Sequence, residues 1–124
     1  MKKILILFLL IPVNLLSQEI IGNWTGTLVF GIQKIELNIL IEREGQELKA
    51  SMDIPEQGVL KNKASTVFFE TRNFEISFPE FNIVYKAELS EQLDLIGDFV
   101  QNGFSIPIVL KKMGYYFRAA TNPK

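Results

Sequence analysis

Fourteen carboxylates, no histidine and no cysteine set the chemistry open to this 124-residue chain. Without His or Cys, the Ser-His-Asp and Cys-His systems and most zinc sites have no members to draw on. No G-x-S-x-G, P-loop or G-x-G-x-x-G pattern occurs. Carboxylate pairs are the remaining catalytic option. Asp94 and Asp98 stand on the solvated side of an alternating run, about 13 Å apart at 3.3 Å per residue, which is too far to act as a pair. Glu42, Glu44 and Glu47 surround a turn, the pattern of a solvated charged loop. Asp53 and Glu56 flank an irregular stretch, and one Asp with one Glu makes a thin cation site. The chain is therefore expected to carry no catalytic residues, no metal and no cofactor.

Binding candidates are few. The stretch Asp53–Lys61 (DIPEQGVLK) breaks the surrounding rhythm, because Pro55 and Gly58 stop a strand and the segment exceeds a hairpin turn. Irregular loops on rigid scaffolds tend to carry function, so Asp53, Pro55, Glu56, Gln57 and Gly58 are candidate ligand- or partner-binding residues. Trp24 joins them as a pocket wall or, in the plainer reading, a core residue. Its Gly-x-Trp setting on a first strand resembles the lipocalin-type barrels, where the Trp packs at the closed end. Tyr115 and Tyr116 offer a glycan-stacking or protein-contact surface, or simple packing.

The elements that must position these residues are strands. From Leu93 to Leu110, Leu93, Leu95, Gly97 and Phe99 alternate with Asp94, Ile96, Asp98 and Val100; Asn102-Gly103 follows, and Phe104, Ile106, Ile108 and Leu110 alternate again. Period-two runs around Asn-Gly predict a β-hairpin with a type I′ turn. Upstream, Ile20–Phe30 is predicted as a first strand and Gln33–Arg43 as a second, with Ile35, Leu37, Ile39 and Ile41 inward. Burying those four is worth about 6–12 kcal/mol before their ordering entropy. Glu47–Asp53, Asn62–Glu70, a run with Phe74, Ile76 and Phe78 inward, and Phe81–Leu89 follow. Eight strands joined by short connections, with no 3.6-residue period, predict an all-β antiparallel meander curled into a small, lipocalin-like barrel. Such a barrel is filled by side chains or holds one small ligand. Pro107 cannot donate to a ladder, which predicts an edge or bulge and an imperfect closure there.

Before the domain, Met1-Lys2-Lys3, an apolar run Ile4–Leu16, and Ser17 reproduce the parts of a secretory signal peptide over residues 1–18. The run is short for a spanning helix, so no stable membrane span is expected after cleavage. The mature chain is expected to comprise one β-domain over 19–112 and a tail or linker remnant over 113–124. Lack of disulfides suits a Gram-negative periplasm or exterior, and makes the Asn23-Trp24-Thr25 sequon a chance match. Setting aside Lys2 and Lys3 leaves 11 basic against 14 acidic residues, a net charge near −3. A mildly acidic surface argues against nucleic acid as a partner.

Several segments in order carry a family resemblance: GNWTGTL (Gly22–Leu28), MDIPEQG (Met52–Gly58), YKAEL (Tyr85–Leu89) and IGDFVQNGFSIPIVLKK (Ile96–Lys112). Together they resemble the small N-terminal β-domain that precedes exported α/β-hydrolases (serine aminopeptidase-like) in Bacteroidota. In that family a hydrolase follows, whereas this sequence ends at Lys124, so the resemblance carries over no nucleophile, acid or histidine. It implies an accessory domain without catalysis, associated with an exported hydrolase or another envelope protein. The alternative expectation is a carrier of a small hydrophobic ligand.

Overall fold

The computed structural model describes residues 19–113. The expected leader over 1–18 and the tail from Gly114, with Tyr115 and Tyr116, lie outside them. Nine strands follow in order: β1 (Gly22–Phe30), β2 (Gln33–Glu44), β3 (Glu47–Ile54), β4 (Val59–Lys63), β5 (Thr66–Glu70), β6 (Asn73–Phe78), β7 (Ile83–Leu89), β8 (Leu95–Gln101) and β9 (Phe104–Lys112). They form one antiparallel sheet in the order β4-β3-β2-β1-β9-β8-β7-β6-β5, curled into a half-barrel. Each strand pairs with its sequence neighbour except across β4/β5, and the first strand meets the last. The chain is thus an up-and-down meander opened at a β4/β5 seam.

The expected alternation is met where it is strongest. Ile35, Leu37, Ile39 and Ile41 are all buried, and they join Leu28, Met52, Ile76, Leu89 and Leu110 in a single core. Asn102 and Gly103 take φ of 51° and 86°, the two positive values that a type I′ turn requires. Five large aromatic side chains, Trp24, Tyr85, Phe74, Phe78 and Phe99, are fully buried and fill the interior.

Three boundaries differ from expectation. The run Asn62–Glu70 is two strands, not one, which makes nine strands instead of eight. Along it, β4 pairs with β3; at Ala64-Ser65 the chain crosses over, and β5 pairs with β6. The crossing is stitched to both sides, by Ala64 N–H to Ala50 O (2.9 Å) and Ser65 N–H to Ser77 O (2.9 Å). The stretch Asp53–Lys61 is no long loop: Pro55–Gln57 is one 3-10 turn, closed by Gly58 at φ 74°, and β4 starts at Val59. Leu93 belongs to the β7–β8 turn at φ 67°, so β8 begins only at Leu95.

Closure between β1 and β9 is short. Trp24 pairs with Lys112 and Thr25 with Lys111, and the ladder goes no further. In the β8–β9 hairpin Gln101 and Phe104 flank a two-residue turn, so alternation points the backbone of Ser105, Pro107 and Val109 toward β1. Pro107 therefore brings no donor to the side where the ladder is missing. Gly26 permits the close approach that remains: a Cβ there would lie 2.6 Å from the Val109 carbonyl oxygen.

Candidate functional site

Trp24 is wholly buried at the start of β1. Its Nε1 donates to the Ile20 carbonyl at 2.9 Å, and the Lys112 ammonium stands 5.4 Å from the ring centroid. Lys112 in turn donates to the Glu19 carbonyl. Burial holds the Lys112 ammonium below its ordinary range, partly offset by the Glu19 charge. The side chain thus packs in the core and clamps the segment entering β1.

The candidate stretch Asp53–Gly58 is just as fully engaged in its own construction. The β3–β4 register slips between Met52 and Ile54, and Lys61 sits at φ 51°. That bulge leaves the Lys61 N–H without a ladder partner, and the Asp53 carboxylate accepts it. Glu56 Oε1 accepts from the Glu36 N–H at 3.2 Å, tying the turn to β2. Pro55 presets the turn and its carbonyl accepts from Gly58 N–H; Gln57 is exposed. Trp24, Ile39 and Met52 share one rung inside the sheet, while Asp53 points outward beside an outer groove of about 360 Å³ with Asn23, Asn38, Ser51, Lys61 and Lys63. Trp24 points inward and Asp53 outward, so these two candidates do not form one site.

The same turn occurs twice. Ile54-Pro55-Glu56-Gln57-Gly58-Val59 is matched by Phe78-Pro79-Glu80-Phe81-Asn82-Ile83, with entry angles of φ −129°, ψ 83° and φ −128°, ψ 81°. The second copy ends on Asn82 at φ 55°, and Glu80 accepts from Asn62 Nδ2 at 2.9 Å. The repeat marks Asp53–Gly58 as a building device of this fold.

The remaining acids are spread out. Asp94 is paired with Lys111 at 3.0 Å, and Asp98 lies between Lys86 and Pro107 on adjacent strands. Among the described residues, no three His, Cys, Asp or Glu side chains gather as a metal site.

Sequence reasoning passed over the outer face. Ile96 and Val109 lie directly opposite each other on β8 and β9, pointing out, 51% and 42% exposed. On the same face, Val84 stands opposite Val100 and lines a groove of about 450 Å³ with Pro79, Asn82 and Gly103. Val29 and Phe30 at the end of β1, Ile32 in the next turn and Phe104 at the start of β9 are exposed at the same end of the barrel. The signal was available: Ile96, Val100 and Val109 are apolar in the phase of the alternation that should face water. No protein-family model, curated protein or solved structure matches this chain.

Proposed function

We propose that this chain is a non-catalytic, exported interaction domain that binds an envelope protein, with an exported α/β-hydrolase as the first candidate. The observation that carries the reading is the outward Ile96–Val109 pair; a second outward pair, Val84–Val100, lies beyond the intervening Lys86–Asp98 rung. A partner that covers the Ile96–Val109 pair would remove its exposed apolar surface from water. The leader-like residues 1–18 support export, and the hydrolase enters from the sequence resemblance alone. The alternative, a carrier of small hydrophobic molecules, needs interior space where Trp24, Tyr85, Phe74, Phe78 and Phe99 pack.

The test mixes the purified mature chain with exported α/β-hydrolases of its own organism and follows complex formation, hydrolase stability and activity. Saturable binding that Ile96→Lys weakens by about tenfold or more is the expected result. No binding to any of them, and no change in their stability, would overturn the hydrolase assignment. A fatty-acid titration that shifts Trp24 fluorescence saturably would favour the carrier.

A further inference from the structure

The seam offers a second surface of a different kind. Below the crossing at Ala64-Ser65, β5 leaves β3, and a groove of about 490 Å³ opens between Gln46–Lys49 and Thr66–Phe69. Most inward-facing apolar side chains of the other strands are buried. Here Leu48, Val67 and Phe69 point inward yet stay only partly covered. The core is therefore incompletely roofed along this wall. Phe68, on the outer side of β5, is 51% exposed.

Among the described residues, the walls also carry backbone without a strand partner. The two-residue Thr71-Arg72 turn makes Glu70 and Asn73 a hydrogen-bonded pair, so Thr66 and Phe68 direct their backbone groups to β6. Val67 and Phe69 then direct theirs to the open edge. Across the groove, Glu44 and Glu47 flank a two-residue turn, which points Glu47 and Lys49 at β2 and leaves the Leu48 groups facing the groove. An edge of this kind is a template for another strand.

We propose that this seam is a docking slot for one extended strand of a partner protein, with apolar residues at alternate positions. Three features select that occupant. The unpaired N–H and C=O groups of Val67, Phe69 and Leu48 ask for main-chain partners, which only extended chain supplies in series. The half-covered Leu48, Val67 and Phe69 ask for apolar side chains on one face of it. The second wall, Gln46–Lys49, faces this edge across the groove, and the Ala64-Ser65 crossing, held to Ala50 and Ser77, closes its upper end, so the free edge is only a few residues long. The slot rests on the interaction reading in needing a partner, but not on the Ile96–Val109 face.

The probe is the hexapeptide Thr-Val-Thr-Val-Thr-Val, compared with the same peptide N-methylated at alternate amides. Amide exchange of the mature chain is followed residue by residue. Val67 and Phe69 amides should exchange fast in the free chain and slow by about fivefold or more on saturation with the first peptide, and not with the methylated one. Val67→Pro removes an edge N–H without touching the β5–β6 ladder, and should abolish the protection while β6 amides stay protected. Should that variant unfold, the paired peptides still decide the matter. No saturable protection, equal protection by both peptides, or protection confined to Ile96 and Val109 would overturn the slot. So would sedimentation showing a dimer that already shields Val67 and Phe69. Hydrolase binding sensitive to Ile96→Lys, with an unresponsive seam, would sink the slot and leave the interaction domain standing.

Discussion

The indole N–H of Trp24 donates to the carbonyl of Ile20 across 2.9 Å inside the core. Ile20 is itself fully buried, so the segment just after the leader-like residues is part of the domain. Trp24→Phe would leave the Ile20 carbonyl unpaired and a void beside it. The expected loss is about 2–4 kcal/mol, read as a lower urea midpoint at unchanged slope. Ile20→Ala should cost a similar amount, whereas a frayed N-terminus would make that change neutral.

Gly97 on β8 lies opposite Ala87 on β7. A Cβ at position 97 would stand 1.9 Å from the Lys86 carbonyl oxygen and 2.5 Å from the Ala87 Cα. Backbone atoms cannot rotate aside as a flexible side chain does, so Gly97→Ala must push β7 and β8 apart. The expected cost is at or above the about 1–3 kcal/mol of ordinary overpacking. An unchanged thermal midpoint would show that the strands sit further apart than described.

Tyr85 is the titratable group most shifted by the fold. Burial first, and the Asp98 charge second, raise its phenol well above the usual tyrosine range. Its OH donates to the Leu95 carbonyl at 3.2 Å. Because the folded value is raised, the stability tied to the neutral phenol is fully present below about pH 10. It falls as the unfolded phenol ionises, by about 1.4 kcal/mol per pH unit above that point. Lys112, held low by burial, contributes with the opposite sign at lower pH, up to about its ordinary lysine value near 10.5. Unfolding curves of the parent and Tyr85→Phe isolate the tyrosine: the variant should lose about 0.5–1.5 kcal/mol at pH 7 and show a shallower decline above pH 10. Parallel pH curves for the two proteins would contradict this assignment.

Much of the sheet is legible as alternation, and the reasons it fails elsewhere are physical. Ile35 to Ile41 and the Asn102-Gly103 turn are read correctly because side-chain period and turn chemistry are local properties. The Ala64-Ser65 crossing is invisible for the complementary reason: a strand that exchanges one neighbour for another keeps its period of two. Pro55 and Gly58 do announce an interruption, but its compactness depends on Glu36 and Lys61, which no local pattern joins to Glu56 and Asp53. The repeat of Pro-Glu-x-Gly and Pro-Glu-x-Asn was open to inspection in the sequence and would have favoured a turn. For the candidate site, attention to the inward phase of each strand hid Ile96 and Val109, whose message lies in the outward phase.

Gly58 and Asn82 close the two related turns in the left-handed region, at φ 74° and 55°. No neighbouring atom lies within 4 Å of a Cβ built at position 58, so only backbone strain opposes a side chain there. Gly58→Ala should therefore cost about 1–2 kcal/mol, the penalty of that conformation for an L residue. Asn82→Gly relieves the same strain but loses the Asn82 Nδ2 to Asn102 Oδ1 bond of 3.0 Å, and should fall within about 0.5–1 kcal/mol of the parent. Chemical denaturation of the two variants side by side checks the asymmetry; equal losses would mean that the turns are not equivalent.

The outer face gives the prediction that separates binding from folding. Ile96 and Val109 face each other across β8 and β9, both about half exposed, on the side away from the core. Replacing either by Lys removes little buried area, and lysine is tolerated on a solvated sheet face, so stability should stay within about 0.5 kcal/mol of the parent. If the pair forms part of a partner surface, a charge placed at its centre must be desolvated on binding, and affinity should drop by about tenfold or more for each substitution. Leu60 supplies the control: it is 65% exposed on β4, away from the β8–β9 pair, and Leu60→Lys should leave binding unchanged. Titration calorimetry against the partner, run on all three variants, measures the difference directly. Equal weakening by Leu60→Lys would point to general surface charge as the cause; no weakening by Ile96→Lys and Val109→Lys would remove this face from the interface.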